Sequence, residues 1–101
     1  GGADFQLVVS NTLAELDARY MLETDAGDLI YVTNRAVRSG PAELMAKLVR
    51  GEPVDPSQIY FRCSPSFETG SKSLQWITER MFVGAGARHP DKVVMRFWQL
   101  A

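Results

Sequence analysis

Apolar and polar residues alternate on either side of a short loop in the first third of the chain. Leu16, Ala18, Tyr20, Leu22, Ile30, Val32 and Ala36 share one parity, while Asp17, Arg19, Glu23, Tyr31, Thr33 and Arg35 share the other. A period of two marks a half-buried strand. Asp25-Ala26-Gly27 is the predicted connection, because a three-residue hairpin loop takes glycine in the left-handed region at its last position. This pairs Thr24 with Asp28, and the register follows outward. Leu22 faces Ile30, Tyr20 faces Val32 and Ala18 faces Asn34; between them Glu23 meets Leu29, Met21 meets Tyr31, Arg19 meets Thr33 and Asp17 meets Arg35. A two-residue loop would mix the two faces, and a buried face is what normally specifies register. Asn34 is the one strongly polar member of the apolar face. Asp17 opposite Arg35 predicts an exposed cross-strand ion pair of ~0.2–1 kcal/mol.

The rest of the chain is placed around this hairpin. Residues 1–4 read as a turn, 5–9 as a short strand and 10–12 as a turn. Ser39-Gly40-Pro41 breaks the sheet, and residues 42–50 form the predicted helix. Pro41 suits a first helical position, Gly51 is a natural stop, and Leu44, Met45 and Leu48 make a narrow apolar stripe. A helix this short must lie on the sheet to be stable. Residues 58–64 are a predicted strand that Pro65 interrupts, followed by a bend or strand over 66–72. A long strand is predicted over 73–83, a glycine-rich connection over 84–92 and a last strand over 93–100. Val93, Met95 and Phe97 alternate with Val94, Arg96 and Trp98, so the last strand is apolar on both sides. Strands covered on both faces favour a closed or sandwiched sheet.

Composition narrows the function. The 101 residues carry a net charge of −1, with Lys and Arg scattered rather than clustered, which argues against a nucleic-acid partner. No apolar run approaches a membrane span and no leader pattern is present. The lone cysteine, Cys63, fits a reduced, cytoplasmic setting. His89 is the only histidine, so a zinc set is not expected, and no sequence feature calls for a metal or a cofactor. Gly84-Ala85-Gly86-Ala87 suggests a phosphate loop only superficially, because no helix is predicted after it. The chain starts at Gly1-Gly2 without methionine, and the expectation is one barrel domain over 1–101, the C-terminal two-thirds of a longer protein.

Several stretches also occur in a telling order: Gly1-Gly2-Ala3-Asp4-Phe5-Gln6, Ala14-Glu15-Leu16-Asp17-Ala18-Arg19-Tyr20, Ile30-Tyr31-Val32-Thr33-Asn34-Arg35, Tyr60-Phe61-Arg62 and Phe67-Glu68-Thr69-Gly70. On these the chain resembles domain-of-unknown-function family thirty-two thirty-seven, also called the UPF three-eleven proteins, over essentially its whole length. Each motif is weak alone, and the ordered combination is specific. The resemblance implies an all-β fold, an antiparallel, calycin-like β-barrel with one short helix packed on the outside, and further strands before Gly1. It implies no defined activity, because the bacterial and fungal members are uncharacterised. It maps a site onto Asp4, Gln6, Asp17, Arg35, Arg62 and Glu68. Phe5 stands where tryptophan is frequent and Ala36 where glycine is common, which would alter a pocket's shape but not its charges.

The polar hairpin face has two readings, solvent or the lumen of a barrel. The lumen reading gives a small-molecule-binding barrel in which Asp17, Tyr31, Arg35, Arg62 and Glu68 receive an anionic or carbonyl-bearing organic ligand. A cofactor-free isomerase, cyclase or hydrolase is its catalytic form. The other hypothesis is a non-catalytic oligomerisation module without ligand, a homo-oligomer built on the apolar outer faces.

Overall fold

The computed structural model describes residues 2–101. Six antiparallel strands follow one another in a single sheet: β1 (Gly2–Val8), β2 (Leu13–Glu23), β3 (Leu29–Ser39), β4 (Tyr60–Thr69), β5 (Phe82–Arg88) and β6 (Val93–Gln99). One α-helix, α1 (Ala42–Val49), joins β3 to β4, and short 3₁₀ segments occupy Pro56–Gln58 and Lys72–Glu79. The fold is all-β and barrel-like. Among the described residues β1 and β6 are not paired, so the sheet curls without closing. No helix is long and apolar enough to cross a membrane.

The hairpin forms in the predicted register throughout, from Glu23–Leu29 at the loop to Leu13–Ser39 at the far end. Gly27 has φ +88° and its N–H donates to the Thr24 carbonyl at 2.9 Å, while the Thr24 N–H donates to the Asp28 carbonyl at 2.8 Å. That left-handed residue closes the three-residue loop and thereby sets every pair behind it.

The parity of the hairpin then decides the core. Val32 is fully buried, Asn34 pairs with Pro65, Ala36 with Cys63 and Arg38 with Phe61, so these residues all lie on one face. Cys63 pairs with Gly84, and Gly84 with Phe97, which carries the same face across β5 and β6. This face is concave, because residues from β1 and from β5–β6, at opposite edges of the sheet, line one cleft across it. Helix α1 covers one end of the trough: Met45 and Leu48 pack on Ala14, with Val54 and Ile59 beside them. Pro41 precedes the helix as its N-cap, and Gly51, at φ +76°, follows its end.

Four sequence expectations change. The turn expected over residues 1–4 is strand from Gly2, paired Gly2–Tyr20 through Asp4–Ala18, and Gly1 lies outside the described residues. Strand β4 runs through Pro65 to Thr69. Its partner β5 pairs only at Arg62–Ala85 and Cys63–Gly84, so beyond Cys63 the strand is locally an edge, where a proline's missing N–H is tolerated. The strand expected over 73–83 is 3₁₀ helix as far as Glu79. Leu74 and Ile77 are its partly buried positions, and with the capping Ser71 they keep a spacing of three that also fits an alternating apolar pattern. Residues 84–88 of the expected glycine-rich connection are strand β5, and only 89–92 connect it to β6.

Gly84 and Gly86 are in β5 for steric reasons. A Cβ on Gly84 would sit 2.6 Å from Cys63 Sγ, 2.7 Å from the Arg96 carbonyl oxygen and 2.7 Å from the Phe97 ring. On Gly86 it would meet Met95 Sδ at 2.8 Å and the Phe61 ring at 2.9 Å. The bare backbone lets large side chains of β4 and β6 cross the strand. Gly84→Ala is expected to destabilise the protein by about 1–3 kcal/mol through overpacking. Gly86→Ala should cost less, because the Met95 side chain can turn aside whereas the Arg96 carbonyl cannot. Urea unfolding midpoints of the two variants check the order.

Candidate functional site

The concave face holds a cleft of about 320 Å³ lined by residues from all six strands of the sheet, among them Asp4, Gln6, Tyr20, Asn34, Arg38, Phe61, Arg88 and Met95. Strand alternation brings Asp4 and Gln6 inward from β1, where they pair with Ala18 and Leu16. The same alternation brings Asn34 and Arg38 inward from β3. Arg88 ends β5, opposite Val93.

Arg38 is only 3% exposed and Asn34 only 5%. Arg38 Nε and Asn34 Oδ1 are buried without a hydrogen-bond partner. The Arg38 guanidinium lies over the Phe61 ring, its carbon 5.6 Å from the centroid, a cation–π contact that compensates only part of the lost hydration. Burial, then the like charge of Arg88, pulls its pKa below the ordinary arginine value, and Asp4 pulls it back up. The ion pairs of the described residues are Arg19–Asp17, at 3.5 Å, and Arg50–Glu52, both on the surface; Arg38 is in neither. A cation in this position is the costly exception in a protein interior.

Two neutral acids border this region. Burial raises the Cys63 thiol, with the Asn34 side chain pulling the other way. Burial also raises Tyr20, with a smaller contribution from Cys63. Among the described residues there is no group of three or more His, Cys, Asp or Glu side chains placed to hold a metal.

The sequence-derived set divides by parity. Asp4 and Gln6 line the cleft. Asp17, Tyr31, Arg35, Arg62 and Glu68 lie on the opposite, convex face, where Tyr31 pairs with Glu68, and Asp17 and Ser64 flank Arg35. The structure therefore gives the trough lining to the apolar parity and leaves the polar parity outside, since Val32, Phe61 and Cys63 must be buried. Arg62 stacks over Tyr60 at 5.2 Å there. Asp17 takes Arg19, two residues along its own strand, as its ion-pair partner rather than Arg35 across the ladder. Sequence reasoning missed Tyr20, Arg38 and Arg88. Asn34 was its signal: following that parity four residues further, past Ala36, reaches Arg38.

The family model described as "Protein of unknown function (DUF3237)" matches residues 1–100. The chain belongs to this family. It is 54% identical over 99 residues to the UPF0311 protein RPA1785 of Rhodopseudomonas palustris, covering 98% of this chain and 65% of the relative. It is 38% identical over 101 residues to a UPF0311 protein of Clostridium acetobutylicum, covering 100% of this chain and 64% of that one. The crystal structure of the R. palustris protein superposes with a TM-score of 0.93 at 54% identity, over 97% of this chain and 66% of that chain. A structure from Acinetobacter baumannii described as a beta-barrel like protein superposes with a TM-score of 0.81 at 40% identity, over 100% of this chain and 64% of that chain. This DUF3237 chain thus spans just under two thirds of the length of the curated relatives it matches.

Two outcomes follow from these buried groups. Arg38→Met keeps the packed stem, places sulfur near the Phe61 ring and removes an unpaired charge, so ligand-free stability should rise by about 1–2 kcal/mol in chemical denaturation. The Cys63 and Tyr20 protons are held more tightly in the folded than in the unfolded chain. Their contribution to stability is complete below about pH 8.5 and is lost as the pH rises through the thiol and phenol range toward about 10 and above. Unfolding midpoints taken across that range should fall, and the Cys63→Val, Tyr20→Phe double variant should fall less steeply.

Proposed function

We propose that the concave cleft binds a small organic anion, with Arg38 and Arg88 attracting the charge and Asp4, Gln6 and Asn34 selecting its polar groups. The observation that carries this reading is Arg38, only 3% exposed as a residue, with a buried and unpartnered Nε. A fold that keeps such a group bears a desolvation cost that a carboxylate would relieve through charge-assisted, bidentate hydrogen bonds. Two arginines against one aspartate leave the cleft net positive. Asn34 Oδ1 is a free acceptor beside it, suited to a hydroxyl or enol of a carbonyl-bearing ligand. The reading keeps Asp4 and Gln6 of the sequence-derived set and centres the site on Asn34, Arg38 and Arg88. In its catalytic form, a cofactor-free isomerase, cyclase or hydrolase, Asp4 is the carboxylate available as base. A reducing, cytoplasmic setting goes with it, supported by the unpaired, buried thiol of Cys63.

A second reading, an oligomerisation module without ligand, is favoured by one feature. Strand β6 exposes Val93 and Phe97 on one face and Val94 and Trp98 on the other.

Benzoate tests the first reading on the full-length protein, with benzylamine as the cationic control. Benzoate at a hundred times its dissociation constant should stabilise by roughly 2.7 kcal/mol, benzylamine should not, and Arg38→Met should abolish the effect. Absence of any carboxylate effect, with a melting temperature that climbs with protein concentration, would transfer the assignment to the oligomer.

A further inference from the structure

A second hollow, of about 140 Å³, lies beneath α1 at the end of the trough. Val8, Leu13, Ala14, Met45, Ala46 and Val49 give it apolar walls. Arg38 is the only charged residue lining it among the described residues, and Arg38 and Gln6 line the 320 Å³ cleft as well. The buried guanidinium therefore stands at the junction of two compartments of different chemistry. On one side are Asp4, Asn34 and Arg88; on the other is the underside of a helix.

We infer that the ligand is an amphipathic monocarboxylate, its head held at Arg38 and its hydrocarbon part lying in the hollow under α1. This rests on the reading of the cleft as an organic-anion site and adds the ligand class. A dry apolar cavity of about 150 Å³ accommodates benzene, so the hollow takes one phenyl ring or a short aliphatic chain. Hydrophilic anions such as a phosphate or a dicarboxylate leave it unfilled or place a second charge against apolar walls, which is costly. Apolar atoms entering it gain by leaving water. The residues needed for the two halves are separate, Arg38 for the head and the α1 side chains for the tail, so the halves can be altered independently.

Calorimetric titration of the full-length protein with butyrate, hexanoate and octanoate tests the assignment. Burial of one methylene is worth about 0.8 kcal/mol, about fourfold in affinity, so hexanoate should bind at least tenfold tighter than butyrate. Ala46 is exposed on α1 and lines the hollow, so Ala46→Phe fills it from a position that tolerates bulk. That variant should remove the gain of hexanoate over butyrate, whereas Arg38→Met should weaken all three acids. Val49→Phe, 71% exposed at the same wall, serves the same purpose if the first variant misfolds. Equal affinity for all three acids, each still dependent on Arg38, overturns the amphipathic ligand and leaves the anion cleft standing. A chain-length gain that survives the filling variants places the hydrocarbon elsewhere and also overturns it. Failure of every acid to bind overturns both readings together.

Discussion

The register of the β2–β3 hairpin is the constraint on which the remainder depends. Side chains alternate across a strand, so a slip of one residue would reverse every inward and outward position. Val32, Asn34 and Arg38 would then face solvent, while Asp17, Tyr31 and Arg35 would enter the trough. Gly27 prevents this. Its left-handed conformation closes a loop of three residues, and the pairs from Glu23–Leu29 to Leu13–Ser39 inherit that choice. Strand β4 reads its register from β3 and β1 reads its own from β2, so one glycine orients both sides of the cleft.

Curvature is the second requirement. A flat sheet would hold Asp4 and Arg88 far apart, with three strands between those that carry them. The bare backbone at Gly84 and Gly86 admits the Cys63, Phe61, Phe97 and Met95 side chains where a Cβ would collide. Phe67 adds edge-to-face contacts to Phe82 at 5.2 Å and to Phe97 at 6.4 Å. These contacts draw β5 and β6 over the trough, and the curl brings β1 and β5 residues to a common cleft. Packing of small against large residues thus generates the site, although none of the packing residues carries charge.

Arg38 sets burial against hydration in the cleft. Around Arg38 the concave face carries Phe61, Met95 and Leu16, and an unpaired guanidinium among them opposes the burial that holds the sheet together. Strained or unsatisfied groups of this kind concentrate at binding sites, where a ligand supplies what the fold withholds. The convex face shows the ordinary alternative. There Arg19 with Asp17, and Arg62 over Tyr60, satisfy their charges at the surface.

Local chemistry was legible in the sequence. The hairpin, its loop and its pairing followed from Gly27 and a period of two; α1 followed from Pro41, Gly51 and the Leu44–Met45–Leu48 stripe; the all-β class followed from strands apolar on both sides. The 3₁₀ helix at Lys72–Glu79 did not, because Leu74, Trp76 and Ile77 satisfy a period of two and of three at once. Nor did β5, whose glycines signal a loop until the side chains crossing them are known. Of the candidate site, Asp4, Gln6 and the anomalous Asn34 were visible, but not the face they would serve. Pattern alone separates two faces of a sheet without saying which one curls inward. That choice belongs to the tertiary structure, because it depends on β1, β3 and β5, far apart along the chain, coming to line one cleft, and because the hydrophobic effect rewards whichever face can be covered by its own sheet.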